Sequence, residues 1–405
     1  MRKNEEYGVD WSWHDANGLG RVVNVSGTMT SLGGSVTSKR VAEATAAVMP
    51  RFVKMHELQA RASEVIARLT GAEAGFLTAS ASAGITLAIA GCLTGLDPAK
   101  VEALPLEPGP DNGVAVQMGH LCEYGAPVAQ AVALAGGKLH IVGQSTLTRD
   151  YQLEAALEGA CAALYVVSHH VVDYGMMPLD RFVEICHAKG VPVIVDAASE
   201  YDLTGMLAKG ADIAIYSGHK FLGGPTSGIV AGRRDLVRAA YLQNIGIGRG
   251  MKIGKESIAG AIAAMEQWLE RDHAAVRAEE TRALEMWQAA CALPGITALP
   301  LPDPTDNPLE RLRVFVDPAK AGASAAQFAV AFGRLDPPIV VRGHEVEKGY
   351  FDLDPCNLTP GQAELVRDAL TRVLSAPEEA SAIDARAAYS DTRNGGTQSY
   401  LDWLS

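Results

Sequence analysis

Two apolar runs of the chain each end in a residue able to do chemistry. The run over 191–195 leads into Asp196, and the run over 212–216 leads into Ser217-Gly218-His219-Lys220. The two positions are 220 − 196 = 24 residues apart, roughly one strand–helix–strand step, so adjacent parallel strands would present a carboxylate and a lysine at one sheet edge. A lysine amine condenses with an aldehyde as a Schiff base, and a carboxylate keeps a pyridine nitrogen protonated. The ring then becomes an electron sink for a carbanion. This is the pair that pyridoxal 5'-phosphate chemistry needs. Taken singly, Lys220 reads as a solvated loop lysine and Asp196 as a helix N-cap. Their joint placement, with the glycine-rich stretch 223–228 behind them, favours the chemical reading.

Other positions fit around this pair. Thr78-Ala79-Ser80-Ala81-Ser82-Ala83-Gly84 opens an apolar helix. Small residues there let free backbone N–H groups approach a phosphate, and Ser80 and Ser82 add hydroxyl donors. Ser217 and His219 are candidates for the other side of that phosphate cup. His120, just past the run over 113–118, is a candidate to stack on a pyridine ring. Ser168, past the run over 163–167, is a candidate partner for a ring hydroxyl. His169 and His170 follow it, but no third ligand stands at a recognisable spacing, so no metal is expected.

These residues need a scaffold, and the chain supplies one. Short apolar runs predict strands over 113–118, 138–142, 163–167, 191–195, 212–216 and 228–231. Helical patterns over 57–70, 83–93, 126–135 and 179–189 alternate with them. Strands that are apolar throughout imply burial on both faces, hence an α/β fold with a large, mainly parallel sheet. One long helix is expected over 257–291, leading to a smaller C-terminal α+β domain with strands over 311–316, 339–341 and 350–353 and a helix over 360–374. The expected division is an N-terminal arm 1–40, a large domain 41–275, a small domain 276–375 and a polar tail 376–405, flexible or docked on a neighbour.

Composition bounds the function. The 405 residues are 48% hydrophobic, which excludes a wholly disordered chain. With 35 Lys and Arg against 47 Asp and Glu the formal net charge is −12, so the field that draws in a nucleic-acid backbone is missing and no such partner is expected. The six cysteines form no C-x-x-C pair and read as small apolar residues in a reducing compartment. No apolar leader follows Met1, and the most apolar stretch, 83–93, is too short to span a membrane, so a cytoplasmic protein is expected.

At these residues the chain resembles the fold-type I pyridoxal phosphate superfamily, within it the selenocysteine synthase-like branch that includes D-glucosaminate-6-phosphate ammonia-lyase-type proteins. The resemblance covers roughly residues 20–375. Its most specific motif is Ser217-Gly218-His219-Lys220-Phe221-Leu222-Gly223-Gly224-Pro225, beside Pro192-Val193-Ile194-Val195-Asp196 with Ser199, and Pro337-Pro338-Ile339-Val340-Val341-Arg342 with Phe351-Asp352-Leu353-Asp354. It implies a cofactor-bearing Lys220, a pyridine partner Asp196, a cofactor contact at Ser199, a phosphate site of Ser80, Ala81, Ser82 and Ser217, and a substrate-carboxylate clamp at Arg342. It also implies a homodimer with Thr226 contacting phosphate across the interface. Asp354 stands where the branch carries a second arginine. No basic tRNA-binding domain precedes the core, which disfavours selenium transfer. The expected activity is a lyase that abstracts Cα–H and eliminates across Cα–Cβ of a hydroxy amino acid or amino-sugar acid. Racemisation with a second base at His120, His169 or Tyr124, retro-aldol cleavage, transamination, and a non-catalytic binding protein are the alternatives.

Overall fold

The computed structural model describes residues 7–405. The expected lack of a leader rests partly on residues 1–6, which lie outside the described residues, as does the start of the arm 1–40. In chain order the strands are β1 (Val23–Val25), β2 (Ala74–Thr78), β3 (Gly113–Gln117), β4 (Lys138–Val142), β5 (Ala160–Val166), β6 (Val193–Asp196), β7 (Ile213–Ser217), β8 (Gly228–Gly232), β9 (Ile296–Pro302), β10 (Glu310–Val316), β11 (Ile339–Val341) and β12 (Tyr350–Leu353). They fall into two compact units, Ser35–Arg271 and residues 7–34 with Asp272–Ser405.

The unit Ser35–Arg271 is built on a seven-stranded sheet of order β2-β8-β7-β6-β5-β3-β4. Within it β3, β4, β5, β6 and β7 pair in parallel, and β8 runs antiparallel to both its neighbours, β2 and β7. β2, β3, β6, β7 and β8 are buried at every position. The reason is two-sided packing. Val193 and Val195 face one core with Ile66, Phe182 and Met265, while Ile194 faces another with Ile85, Ile89 and Val237, as the two-residue period of a strand requires. The helix Ala81–Thr94 therefore has apolar residues all round, with ten of its fourteen positions buried.

The other unit carries an antiparallel sheet of order β12-β10-β9 and a two-stranded parallel pair, β1 with β11, in the register Val23↔Ile339 to Val25↔Val341. Helices His273–Ala290, Ala325–Gly333 and Gln362–Ser375 enclose its core around Trp287, Phe328 and Phe351.

Several features differ from the sequence expectation, among them three that shape the architecture. The helix expected over 257–291 is two, Lys255–Glu270 and His273–Ala290, because Arg271 turns extended and the Asp272 carboxylate caps the second helix through the Ala275 N–H at 3.0 Å. The described part of the arm up to Gly34 belongs to the C-terminal unit through β1. The tail contains the helix Ala385–Leu401, which packs on Ala325–Gly333 with Ala388 fully buried.

Candidate active site

β2, β3, β5, β6 and β7 all run the same way, so the residues following them gather at one edge of the sheet. Asp196 closes β6 opposite Ile215 of β7. Lys220 lies in the connection between β7 and β8. That connection is folded back on itself: Gly218 N–H donates to Ser227 O at 2.9 Å, and Gly224 N–H donates to Gly218 O at 2.9 Å. A Cβ on Gly218 would meet Ser227 Oγ at 2.1 Å, so a side chain here would have to displace the Ser227 hydroxyl. Ser35 Oγ adds a hydrogen bond to His219 O at 2.7 Å.

The electrostatics suit an amine–carboxylate pair. Burial pushes the Asp196 carboxyl up to about 6, against the pull of the Lys220 cation and of the Ala198 N–H that donates to Oδ1 at 3.2 Å. Burial lowers the proton affinity of Lys220, while Asp196 and Glu200 raise it. Lys220 Nζ donates to Ser199 Oγ at 2.5 Å. Glu200, 3% exposed, was not singled out from sequence. Its place four residues past Asp196, directly after Ser199, was the available signal.

Ser80 caps the helix Ala81–Thr94, its Oγ accepting from Ala83 N–H at 3.1 Å. Gly228, the first residue of β8, lies so close that a Cβ there would meet Ser80 O at 2.2 Å. The helix entrance and the end of the lysine connection thus abut. Ser82 Oγ lies 3.2 Å from Tyr124 Oη, and the Ser217 hydroxyl, 1% exposed, lies 3.0 Å from His219 Nδ1. Ala81 is the first helical residue.

His120 is 1% exposed, edge-on to Tyr165 at 4.4 Å, and its Nδ1 accepts from Val166 N–H at 3.2 Å. Burial pushes its pKa down to about 4. Ser168 Oγ accepts from His170 N–H at 3.2 Å, and Thr226 is exposed. Among the described residues no group of three or more His, Cys, Asp or Glu is placed to hold a metal, and no helix is long and apolar enough to cross a membrane.

In the other unit, Arg342 follows β11. Its Nη1 donates to Ser26 O at 3.3 Å, and burial together with the neighbouring Arg311 cation lowers its pKa. Arg311 binds Asp303 at 2.6 Å and Asp354 at 2.8 Å, and Arg313 binds Asp352 at 2.8 Å. Among the described residues Arg342 forms no such ion pair. Asp354, at the position of the branch's second arginine, is a paired carboxylate: burial opposes its charge, but Arg311 holds it below the usual range.

An amine and a carboxylate on neighbouring strand ends, next to a helix entrance lined by small hydroxyl residues, fit pyridoxal phosphate. Comparison with known proteins agrees. The D-glucosaminate-6-phosphate ammonia lyase of Salmonella typhimurium is 38% identical over 350 residues, spanning 86% of this chain and 94% of the relative. A 5'-C-glycyluridine monooxygenase-decarboxylase from a Streptomyces species is also 38% identical, over 362 residues, 86% of this chain and 89% of the relative. A solved structure of D-glucosaminate-6-phosphate ammonia-lyase superposes with a TM-score of 0.82 at 36% identity, covering 91% of this chain and all of that one. An aspartate aminotransferase from Thermus thermophilus, 15% identical with a TM-score of 0.55 over 87% of this chain and 99% of its own, shares the fold. The family is pyridoxal phosphate-dependent, and the resemblance read from the sequence is borne out. Residues 22–292 match the L-seryl-tRNA selenium transferase (SelA) family, and the chain belongs to that family.

Proposed function

We propose that this protein binds pyridoxal 5'-phosphate at Lys220 and Asp196 and acts as a lyase, removing ammonia from a hydroxy amino acid or amino-sugar acid by α,β-elimination. The observation that carries the reading is the buried Asp196 carboxylate beside the Lys220 amine at the ends of adjacent parallel strands. The ammonia-lyase relative at 38% identity supports the reaction class.

When bound, the cofactor supplies a cationic ring that accepts the electron pair left at Cα. The protein does the rest. Asp196 keeps the pyridine nitrogen protonated. Ser80, Ala81, Ser82, Ser217 and His219 hold the phosphate through hydroxyl and N–H donors. His120 covers the ring, and Ser168 bonds its hydroxyl. Arg342, a guanidinium that forms no ion pair among the described residues, holds the substrate carboxylate. Lys220, which burial inclines to the neutral amine, takes the Cα proton. The β-hydroxyl leaves as water by taking up the proton that Lys220 received, and the enamine released hydrolyses to a keto acid and ammonia.

The Streptomyces relative favours a second reading, oxidative decarboxylation of a glycyl-type amino acid on the same site. Selenium transfer on tRNA is not favoured, since 35 cationic residues against 47 anionic ones leave no net basic field. We place the enzyme in the cytoplasm, as a homodimer with the exposed Thr226 at the interface. Gel filtration showing an active monomer would count against the dimer.

The test is borohydride reduction followed by peptide mapping, with incubation against hydroxy amino acids and amino-sugar acids. The expected result is a tag on Lys220 and equal yields of keto acid and ammonia. Oxygen uptake with release of carbon dioxide selects the second reading. A tag on another lysine, or none, overturns both.

A further inference from the structure

We propose that Ser199 is a positioning residue for Lys220: its hydroxyl seats the lysine amine in the orientation that receives the Cα proton. This rests on the functional reading above, and it departs from the cofactor contact that the family resemblance implies for Ser199.

The seat is anchored on both sides. Beyond Asp196 the chain keeps its hold on β7, with Ala197 N–H donating to Ile215 O at 2.9 Å and Ser217 N–H donating to Ala198 O at 3.2 Å. Glu200 N–H then donates to Ala197 O at 3.1 Å and closes a turn around Ser199. Facing it, the Lys220 backbone is fixed by Gly223 N–H donating to Lys220 O at 3.0 Å. Two fixed backbones therefore aim a hydroxyl and a flexible amine at each other, and the 2.5 Å contact removes the freedom of the lysine's long stem.

The bond needs a hydrogen on Nζ, so it belongs to the lysine while its nitrogen is an amine or ammonium. An amine that gives one N–H to Ser199 Oγ keeps its lone pair for the substrate. In the step itself the Cα–H bond breaks, an N–H bond forms at Nζ, the electron pair stays with the substrate, and Ser199 keeps its own proton. The charged and titratable groups facing Nζ are Asp196 from β6, Glu200 beside Ser199, and His219 before the lysine.

Competitive acetylation of Lys220 across a pH series, read by peptide mass spectrometry in cofactor-free protein, is the first readout. Ser199→Ala should lower the pH at which Lys220 becomes reactive by about half to one unit, because an acceptor for the ammonium is lost, and Ser199→Thr should restore it. In loaded enzyme, Ser199→Ala should exchange substrate Cα–H with solvent deuterium about tenfold more slowly, with KM and cofactor affinity unchanged, and Ser199→Thr should recover the rate. Unchanged Lys220 titration and exchange in Ser199→Ala overturns the proposal, as does weakened cofactor affinity at an unchanged exchange rate. If wild-type protein carries no cofactor on Lys220, the functional reading fails instead, while the cofactor-free titration still decides whether the seat exists.

Discussion

Asp196 should make the cofactor-free protein less stable as pH rises, and Asp196→Asn should abolish that loss. Burial moves this carboxyl from an ordinary 3.8 to about 6. A group whose native pKa is raised favours the folded state while protonated, so its contribution is fully present below about pH 4 and is lost as pH climbs through about 6. At about 1.4 kcal/mol per tenfold change, the whole displacement is worth ~3 kcal/mol, of which ~2–3 kcal/mol falls between about pH 4 and pH 7. Asparagine does not titrate, so any constant difference in packing cancels when the two pH values are compared. Native-state hydrogen exchange at amides of β6 and β7 reads the opening free energy of the unit that holds the residue. The stability of Asp196→Asn relative to wild type should rise by that amount across the interval. A flat difference, or one that falls with pH, would refute the claim that this carboxylate is desolvated and only partly compensated by Lys220.

Three other outcomes follow from the geometry. Arg342→Lys keeps the charge but loses the planar fork, so KM should rise about tenfold to a hundredfold with kcat little changed in initial-rate measurements. His120→Phe should leave the shape of the kcat/KM profile between about pH 5 and pH 9 unchanged, because burial already keeps the imidazole neutral above about 4; a lost acidic limb would show His120 to be a working base. Gly228→Ala drives a methyl to 2.2 Å from Ser80 O, so it should cost about 1–3 kcal/mol in thermal unfolding and weaken cofactor binding in equilibrium dialysis.

The lysine and its carboxylate were legible in sequence because each follows a run buried on both faces, and such runs announce parallel strands. β2 escaped notice. Ala74–Thr78 pairs antiparallel with a strand more than 150 residues later, and short apolar runs carry no mark of their partner. The break at Arg271-Asp272 was hidden because apolar spacing continues across it, while the cap depends on one aspartate side chain. Glu200 was missed for a different reason: its burial comes from tertiary packing, and an acidic residue in a post-strand loop ordinarily faces water. Tyr124 was legible only as an alternative base; its contact with Ser82 joins segments 42 residues apart.

The pairing of β1 with β11 sets an order of events on the ribosome. Val25 waits 341 − 25 = 316 residues for Val341, whereas every strand of the Ser35–Arg271 unit has been made by Gly232. During synthesis the inserted body can therefore close its core while most of the body it interrupts is still untranslated, and the first strand stays a nascent, unpaired edge until the last quarter of the chain emerges.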